Sequence, residues 1–364
     1  MEDGQPSERL DWLKRRVIME YINNWINGKE VKSKNDGWLE KNNPHSGEIM
    51  SYVADSSLDD VSSAVDAAEK AFFEWSALTP VKRGQILMRI VDEMKANKHS
   101  LAKIIATEAG KPPQDAIGEV DGSILQGEFF SGEGMRLYGK SLTSAMPGKQ
   151  SFTIRQPRGI AGLIVPANTP IANIAWKTFP ALICGNTVVL KAAEDTPSIA
   201  NFFAHLTKNA GLPDGVFNVI QGKGQPAGSS LVENPRVDVI SFTGSTDVGR
   251  WIAREAGKRL ARVSLELGGN NPFVVCDDAD IEQAVHWATL SAFSNAGQRC
   301  ASASRIIVFN NIYDEFVSNF ISKAKSLRLG IDDKSDLGPL ISCAQQKNVF
   351  TAIQEAEKEG GVIL

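Results

Sequence analysis

The chain has 364 residues, 42% of them hydrophobic and 23% charged, which is the composition of a globular protein with a large core. A formal net charge of -4 and a pI near 5.7 speak against nucleic acid or an anionic membrane surface as partner. Cys184, Cys276, Cys300 and Cys343 stand far apart without a CxxC pair, so neither a structural zinc site nor a disulfide scaffold is expected, and no metal.

The start, Met1-Glu2-Asp3-Gly4, is too acidic and polar for a secretory signal, and no apolar run approaches a membrane span. A soluble, cytoplasmic protein is the expectation. Residues 1 to about 18 are charged and read as an arm or helix, with Lys14-Arg15-Arg16 as a solvated face. Alternation from Tyr21 to Val31 around Asn27-Gly28 predicts a hairpin. A short strand at 49–53 follows. Helical periodicity then predicts helices over 58–75, from Pro80 through Met94, over 100–109 and over 117–138. Residues 139–156 break that pattern and read as strand, Pro147-Gly148 turn, strand (151–155). Such a hairpin either projects toward a partner or packs within the fold.

From Arg158 short apolar strands (160–166, 187–191, 216–220, 237–242, 262–267) alternate with helices (171–184, 198–210, 227–233, 246–256). That rhythm predicts βαβ units and a parallel sheet covered on both faces. After Gly268-Gly269-Asn270 the pattern restarts with a strand at 272–275, a helix at 281–294, a strand at 304–308 and a helix at 312–326. Val362-Ile363-Leu364 reads as the start of another strand.

Several residues could carry chemistry. Cys300 follows Gly297-Gln298-Arg299, and a thiol beside a cation is a candidate nucleophile; a packed turn cysteine is the plain alternative. Glu266, between Leu265 and Leu267 at a strand end, becomes a general base if desolvated, or is an edge or ion-paired glutamate. Asn168, in Val165-Pro166-Ala167-Asn168-Thr169-Pro170, lies at a strand's carboxyl end, where an amide can donate to an oxyanion or simply make a turn. Lys191 and Glu194 follow the next strand. An acid there suits ribose hydroxyls, although acids ahead of Thr196-Pro197 also suit a helix start. Gly222 to Gly228 misses the GxGxxG spacing by one residue. Phe242-Thr243-Gly244-Ser245 follows a strand and opens a helix, as a pyrophosphate site would. His286 is a conceivable Cys–His partner, but between Val285 and Trp287 it reads as a packed helix residue.

Together these stretches resemble the NAD(P)-dependent aldehyde dehydrogenase superfamily from about Tyr21 onward. The resemblance rests on Ile26-Asn27-Gly28-Lys29, Asn43-Pro44-His45-Ser46-Gly47-Glu48 and Glu108-Ala109-Gly110-Lys111-Pro112. It rests above all on Leu265-Glu266-Leu267-Gly268-Gly269 and Gly297-Gln298-Arg299-Cys300. It implies an α/β fold with a Rossmann-like cofactor domain (1–138 and 157–268), an oligomerisation hairpin (139–156) and a partial catalytic domain (269–364). It also implies Cys300 as nucleophile, Asn168 and the Cys300 N–H as oxyanion donors, Glu266 as water-activating base, and Lys177 beside the active site. Cofactor contacts are implied at Val165, Pro166, Lys191, Glu194, Gly224, Gly228, Phe242, Thr243, Gly244, Ser245, Leu267 and Gly268. NAD, with NADP possible, an aldehyde substrate, and a homodimer or homotetramer follow from the same resemblance.

Two departures stand out. Ala167 replaces the aromatic residue usual before the oxyanion Asn, which bears on substrate range. Family members also continue past residue 364, through a Glu-x-Phe-Gly-Pro motif that binds the nicotinamide ribose. The competing expectations are a non-catalytic dinucleotide-binding or assembly protein of the same fold, and a Cys–His hydrolase. Within the family, Glu266 disfavours the acylating branch.

Overall fold

The computed structural model describes residues 20–364. The expected N-terminal arm lies outside the described residues. β1 (Glu20–Ile22) pairs parallel with β5 (Ile49–Ala54), which β4 (Trp38–Asn42) joins antiparallel. The expected hairpin is present as β2 (Asn24–Ile26) and β3 (Lys29–Val31). Asn27 and Gly28 turn it with φ of 52° and 73°, the left-handed pair that a two-residue hairpin turn requires. Tyr21 and Ile22 are not part of it; they belong to β1.

Four helices come next: α1 (Leu58–Ala77), α2 (Pro80–Ala96), α3 (Lys98–Ala109) and α4 (Pro113–Gly132). α4 starts and stops earlier than its periodicity suggested, because Pro113 fits the first helical turn and a 3-10 turn over Glu133–Met135 ends the run. The hairpin of residues 139–156 forms β6 (Ser141–Thr143) and β7 (Gln150–Phe152), every residue of both being exposed.

The alternating part follows as β8 (Ile160–Ile164), α5 (Pro170–Ile183), β9 (Thr187–Lys191), α6 (Pro197–Asn209), β10 (Phe217–Ile220), α7 (Ser229–Glu233), β11 (Val237–Gly244), α8 (Thr246–Gly257) and β12 (Arg262–Leu267). The main sheet runs β12-β11-β8-β9-β10-β2-β3, with β8 to β12 parallel and the hairpin antiparallel at one edge. The central strands are apolar throughout because both faces are covered. On β9, Val188 and Leu190 pack with Phe179, Phe203 and Ile90 on the α2–α6 side. Val189, between them, packs with Val65, Leu231 and Ile252 on the side of α1, α7 and α8.

The last part holds β13 (Asn271–Val275) parallel to β14 (Ala303–Val308), with α9 (Ile281–Phe293) and α10 (Tyr313–Lys325) around Val275, Val285, Ala288 and Phe316. α11 (Cys343–Lys358) was not expected from the sequence. It buries no residue, so no apolar face recurs against a core to announce it. The expected strand start at Val362-Ile363-Leu364 is absent: all three residues are exposed and unpaired. No helix among the described residues is long and apolar enough to cross a membrane.

Candidate active site

The chain lays down β8, β9 and β10 in one direction, then places β11 and β12 on the other side of β8. The strand order therefore reverses between β8 and β11, and the carboxyl ends at such a reversal are where α/β sheets bind ligands. Val165, Pro166 and Asn168 follow β8 there. Lys191 ends β9, and its buried Nζ donates to Glu194 Oε2 at 2.8 Å, while the Glu194 carboxylate faces solvent. Gly224–Gly228 after β10 is a single π-type turn running into α7, not a glycine-rich fingerprint loop. A Cβ added at Gly224, Gly228 or Gly268 would meet nothing within 4 Å, so all three border open space.

The strand expected to end at Phe242 runs two residues further. β11 continues through Gly244, with Thr243 opposite Glu266 and Gly244 opposite Leu267, because β12 supplies hydrogen-bonding partners to the end. Phe242 is thus a buried strand residue that packs under the sheet. Thr243 Oγ1 is buried without a hydrogen-bond partner. Ser245 caps α8, its Oγ accepting from the Val248 N–H at 3.4 Å, which leaves the hydroxyl proton free to donate. α8 approaches β12 closely at Gly249, where a Cβ would lie 2.6 Å from Leu267 Cδ2.

The conditional burial of Glu266 is not observed. β12 is an edge strand whose residues alternate exposed and half-buried, and Glu266 is on the exposed side. Its cationic neighbour is Lys177 on α5. That side chain is buried, donates to Ser241 Oγ at 2.9 Å, and has its pKa pushed down to about 8 by burial, against the opposing pull of Glu266.

The Cys300 loop is bent by three consecutive left-handed residues: Asn295 and Ala296 at φ 54° and Gly297 at 73°. Left-handed backbone at a non-glycine residue costs on the order of 1 kcal/mol and persists where neighbours impose it. Here the neighbours are amides. Asn295 Nδ2 donates to Asn168 O at 3.1 Å and Gln298 Nε2 to Asn295 O at 3.1 Å. Gln298 Oε1 accepts from the Ile341 N–H at 3.1 Å. Asn168 Nδ2 donates to Gln298 O at 2.7 Å, so the β8 loop and the cysteine loop are joined two residues from Cys300. Asn271 Nδ2 completes the clamp by donating to Cys300 O at 2.6 Å and Ser302 O at 3.1 Å.

The structure thus brings Asn168 and Cys300 together through residues that sequence reasoning passed over: Asn271, Asn295 and the Gln298 side chain. The available signal was Asn295 two residues ahead of Gly297, both residue types that tolerate left-handed backbone. The Cys300 thiol is exposed, and its N–H has no backbone acceptor among the described residues. Arg299 does not confirm the expected thiol neighbour; its Nη1 donates to Ser294 Oγ at 2.7 Å. His286 is exposed, packs edge-to-face on Trp287, and lines a cavity of about 580 Å³ with Glu282, Glu315 and Lys323 but not with the cysteine loop.

Two carboxylates from the helical layer place the loops. α5 and α6 both start with Thr-Pro and lack a side-chain cap. Glu119 on α4 accepts from the Ala172 N–H of α5 at 3.3 Å and pairs with buried Lys111. Glu108 on α3 accepts from the Ser198 and Ile199 N–H groups of α6 at 2.8 and 3.2 Å. Helix N-termini favour negative charge, and here it comes from another helix rather than from Glu194 and Asp195.

The family model described as "Aldehyde dehydrogenase family" matches residues 31–364. The chain belongs to the aldehyde dehydrogenase family. It is similar to the succinate-semialdehyde dehydrogenase [NADP(+)] of Escherichia coli, with 38% identity over 341 residues, covering 93% of this chain and 71% of that protein. It is also similar to the D-glyceraldehyde dehydrogenase (NADP(+)) of Thermoplasma acidophilum, at 36% identity over 93% of this chain and 69% of the relative. Among solved structures, an NADP dependent enzyme of E. coli superposes with a TM-score of 0.91 at 37% identity, covering 95% of this chain and 72% of that one. The aldehyde dehydrogenase α/β fold expected from the sequence is therefore the observed one.

Proposed function

We propose that this chain oxidises an aldehyde to a carboxylic acid with a nicotinamide dinucleotide, through a covalent intermediate on Cys300. The observation that carries the reading is the hydrogen bond from Asn168 Nδ2 to Gln298 O, which ties an amide donor to the loop of an exposed thiol. One Asn168 Nδ2 hydrogen is used in that bond, and the other remains for a ligand. In this reading the Cys300 thiolate adds to the aldehyde carbonyl carbon, and the new oxyanion takes hydrogen bonds from Asn168 Nδ2 and the Cys300 N–H. Glu266 faces solvent, reaches a water molecule, and takes its proton as the water attacks the resulting thioester, returning the thiol and releasing the acid.

The residues around the strand reversal fit a dinucleotide. Open space lies over Gly224, Gly228 and Gly268, Thr243 Oγ1 has no partner, and the Ser245 hydroxyl proton is free to donate. Val165, Pro166, Phe242, Gly244 and Leu267 would shape the site, and Lys191 with Glu194 would hold the adenosine ribose. When bound, the nicotinamide supplies the acceptor for the hydride that leaves the substrate carbon. The exposed Glu194 carboxylate accepts from ribose hydroxyls and repels a 2′-phosphate, so NAD is the preferred form here, although the relatives named above are NADP(+) enzymes.

The β6–β7 hairpin, exposed on both strands, supports a homodimer or homotetramer, readable by light scattering. Four free, exposed cysteines support a reducing, cytoplasmic setting.

The deciding experiment is a panel of aldehydes with NAD and with NADP, using Cys300→Ser as control. NADH formation that Cys300→Ser abolishes is the expected result. Dinucleotide binding without turnover of any aldehyde would favour a non-catalytic binding protein instead.

A further inference from the structure

The turn that carries Cys300 is gripped by a side chain from another strand. Asn271 opens β13 opposite Ala303, the first residue of β14, and the register of the two strands shifts between Asn271 and Pro272. Proline has no N–H, so the ladder lacks a donor at Pro272. The Asn271 side chain supplies donors beyond that point. Its Nδ2 reaches Cys300 O at 2.6 Å and Ser302 O at 3.1 Å. An amide nitrogen carries two hydrogens, so each carbonyl takes one.

These bonds complete the restraint of the backbone around Cys300. On its N-terminal side, the Arg299 carbonyl accepts from the Ser302 N–H at 3.2 Å, and the Arg299 N–H donates to Gly297 O at 2.9 Å. On its C-terminal side, Asn271 holds the Cys300 carbonyl. Two rigid peptide planes that meet at one Cα set its φ and ψ, and with them the directions of its N–H and of its Cα–Cβ bond. The bond from Asn168 ends on Gln298 O, one peptide group before the first of these planes.

We propose that Asn271 is a positioning residue for the thiol. By holding the Cys300 carbonyl it keeps the Cys300 N–H and Sγ aimed at one and the same carbonyl group, and it touches neither substrate nor cofactor itself. The inference rests on Cys300 being the site of covalent attack. Addition to a carbonyl needs both groups at once: Sγ bonds to the carbon while the N–H donates to the oxygen that becomes negative. A misplacement of about 1 Å between them costs on the order of a hundredfold in rate. Displacement at a saturated carbon forms no oxyanion and needs the thiolate alone. Asn271 therefore governs the first reaction of the thiol and not the second.

Two reagents separate these reactions without any nicotinamide. With p-nitrophenyl acetate the Cys300 thiolate adds to the ester carbonyl, and p-nitrophenolate leaves as the thioester forms. With iodoacetamide the carbon–sulfur bond forms as iodide leaves. Both rates are measured in the full chain, in Asn271→Ala and in Asn271→Ser. Release of p-nitrophenolate is corrected with Cys300→Ser, and alkylation is read at the Cys300 peptide by mass spectrometry. The expected result is acylation about tenfold to a hundredfold slower in Asn271→Ala. The loss is smaller in Asn271→Ser, whose hydroxyl donates to one carbonyl, and alkylation changes by less than about threefold in both. Acylation and alkylation falling together, or acylation unchanged, overturns the proposal. A parent chain that is alkylated at Cys300 but never acylated also overturns it, since no oxyanion donor is then in place to be positioned. If Asn271→Ala loses its far-UV circular dichroism, Asn271→Ser decides by the same ratio.

A second arm uses an aldehyde with NAD. Both variants lower kcat and leave the KM for NAD within about twofold, because the bonds lost are those that aim the attack. A chain that oxidises no aldehyde refutes the proposed function, while the ratio of acylation to alkylation still decides the role of Asn271.

Discussion

The pair Lys111–Glu119 offers the sharpest energetic test of how the helical layer holds the site. Both side chains are nearly inaccessible, at 3% and 5% exposure. Glu119 Oε2 takes the ammonium, while Oε1 accepts from the Ala172 N–H in the first turn of α5, immediately after Asn168. Lys111→Met leaves a buried carboxylate without its cation, and Glu119→Gln leaves a buried ammonium without its anion. Each single change should cost about 3–5 kcal/mol, the penalty for an uncompensated buried charge. The double variant removes both charges and should lie within about 1–2 kcal/mol of the parent, because an apolar or neutral replacement of a buried pair is often nearly neutral. Urea denaturation of the four proteins forms a double-mutant cycle, with coupling equal to the non-additive part. Glu119→Gln should also lower kcat/KM more than Lys111→Met does, since it alone disturbs the cap on α5 and so the placement of Asn168. Single variants within about 0.5 kcal/mol of the parent, or strictly additive costs, would refute the reasoning.

Four further outcomes follow from other features. Burial raises the Glu108 carboxyl from 4.5 to about 7 against the hydrogen bonds from Ser198 and Ile199. The folded pKa lies above the unfolded one, so its stabilising contribution is full below about pH 4.5 and is lost as pH rises through 7; the swing is about 3 kcal/mol, and denaturation of Glu108→Gln across that range should lack it. Lys177 is the opposite case: a folded pKa near 8 against 10.5 means that the parent gains stability relative to Lys177→Met as pH rises from 8 to 10.5, which alkaline denaturation measures. Gln298→Ala removes the bonds to Ile341 N and Asn295 O, and should cost about 1–3 kcal/mol and reduce kcat/KM at least tenfold, while unchanged turnover would show that the clamp is dispensable. Glu194→Gln should shift the NAD/NADP ratio of kcat/KM toward NADP, and an unmoved ratio would remove Glu194 from cofactor selection.

The parallel sheet was legible because β8, β9 and β10 are short apolar runs between helices, and a strand buried on both faces needs that composition. Asn27-Gly28 announced its turn for an equally local reason: few residues accept two left-handed conformations in succession. The extension of β11 to Gly244 was not legible, since Thr243 and Gly244 are strand residues only through their pairing with Glu266 and Leu267. The caps of α5 and α6 were hidden for the same reason. Thr-Pro marks where each helix starts, but the carboxylate that satisfies its first N–H groups is 53 residues away in one case and 90 in the other.

These long-range caps change what the helical layer does. Glu108 on α3 and Glu119 on α4 each end on the first turn of a helix that follows a candidate site loop. Asn168 precedes α5, and Glu194 precedes α6. Asn168 is therefore held from behind by Glu119, through the first turn of α5, and from the front by the Asn295 side chain and the Gln298 carbonyl of the cysteine loop. Moving α4 relative to the sheet would displace Asn168 while leaving Cys300 on its clamp to Asn271. A substitution buried in α4, such as Glu119→Gln, accordingly lowers the rate of carbonyl attack in the proposed reaction without touching substrate, cofactor or thiol.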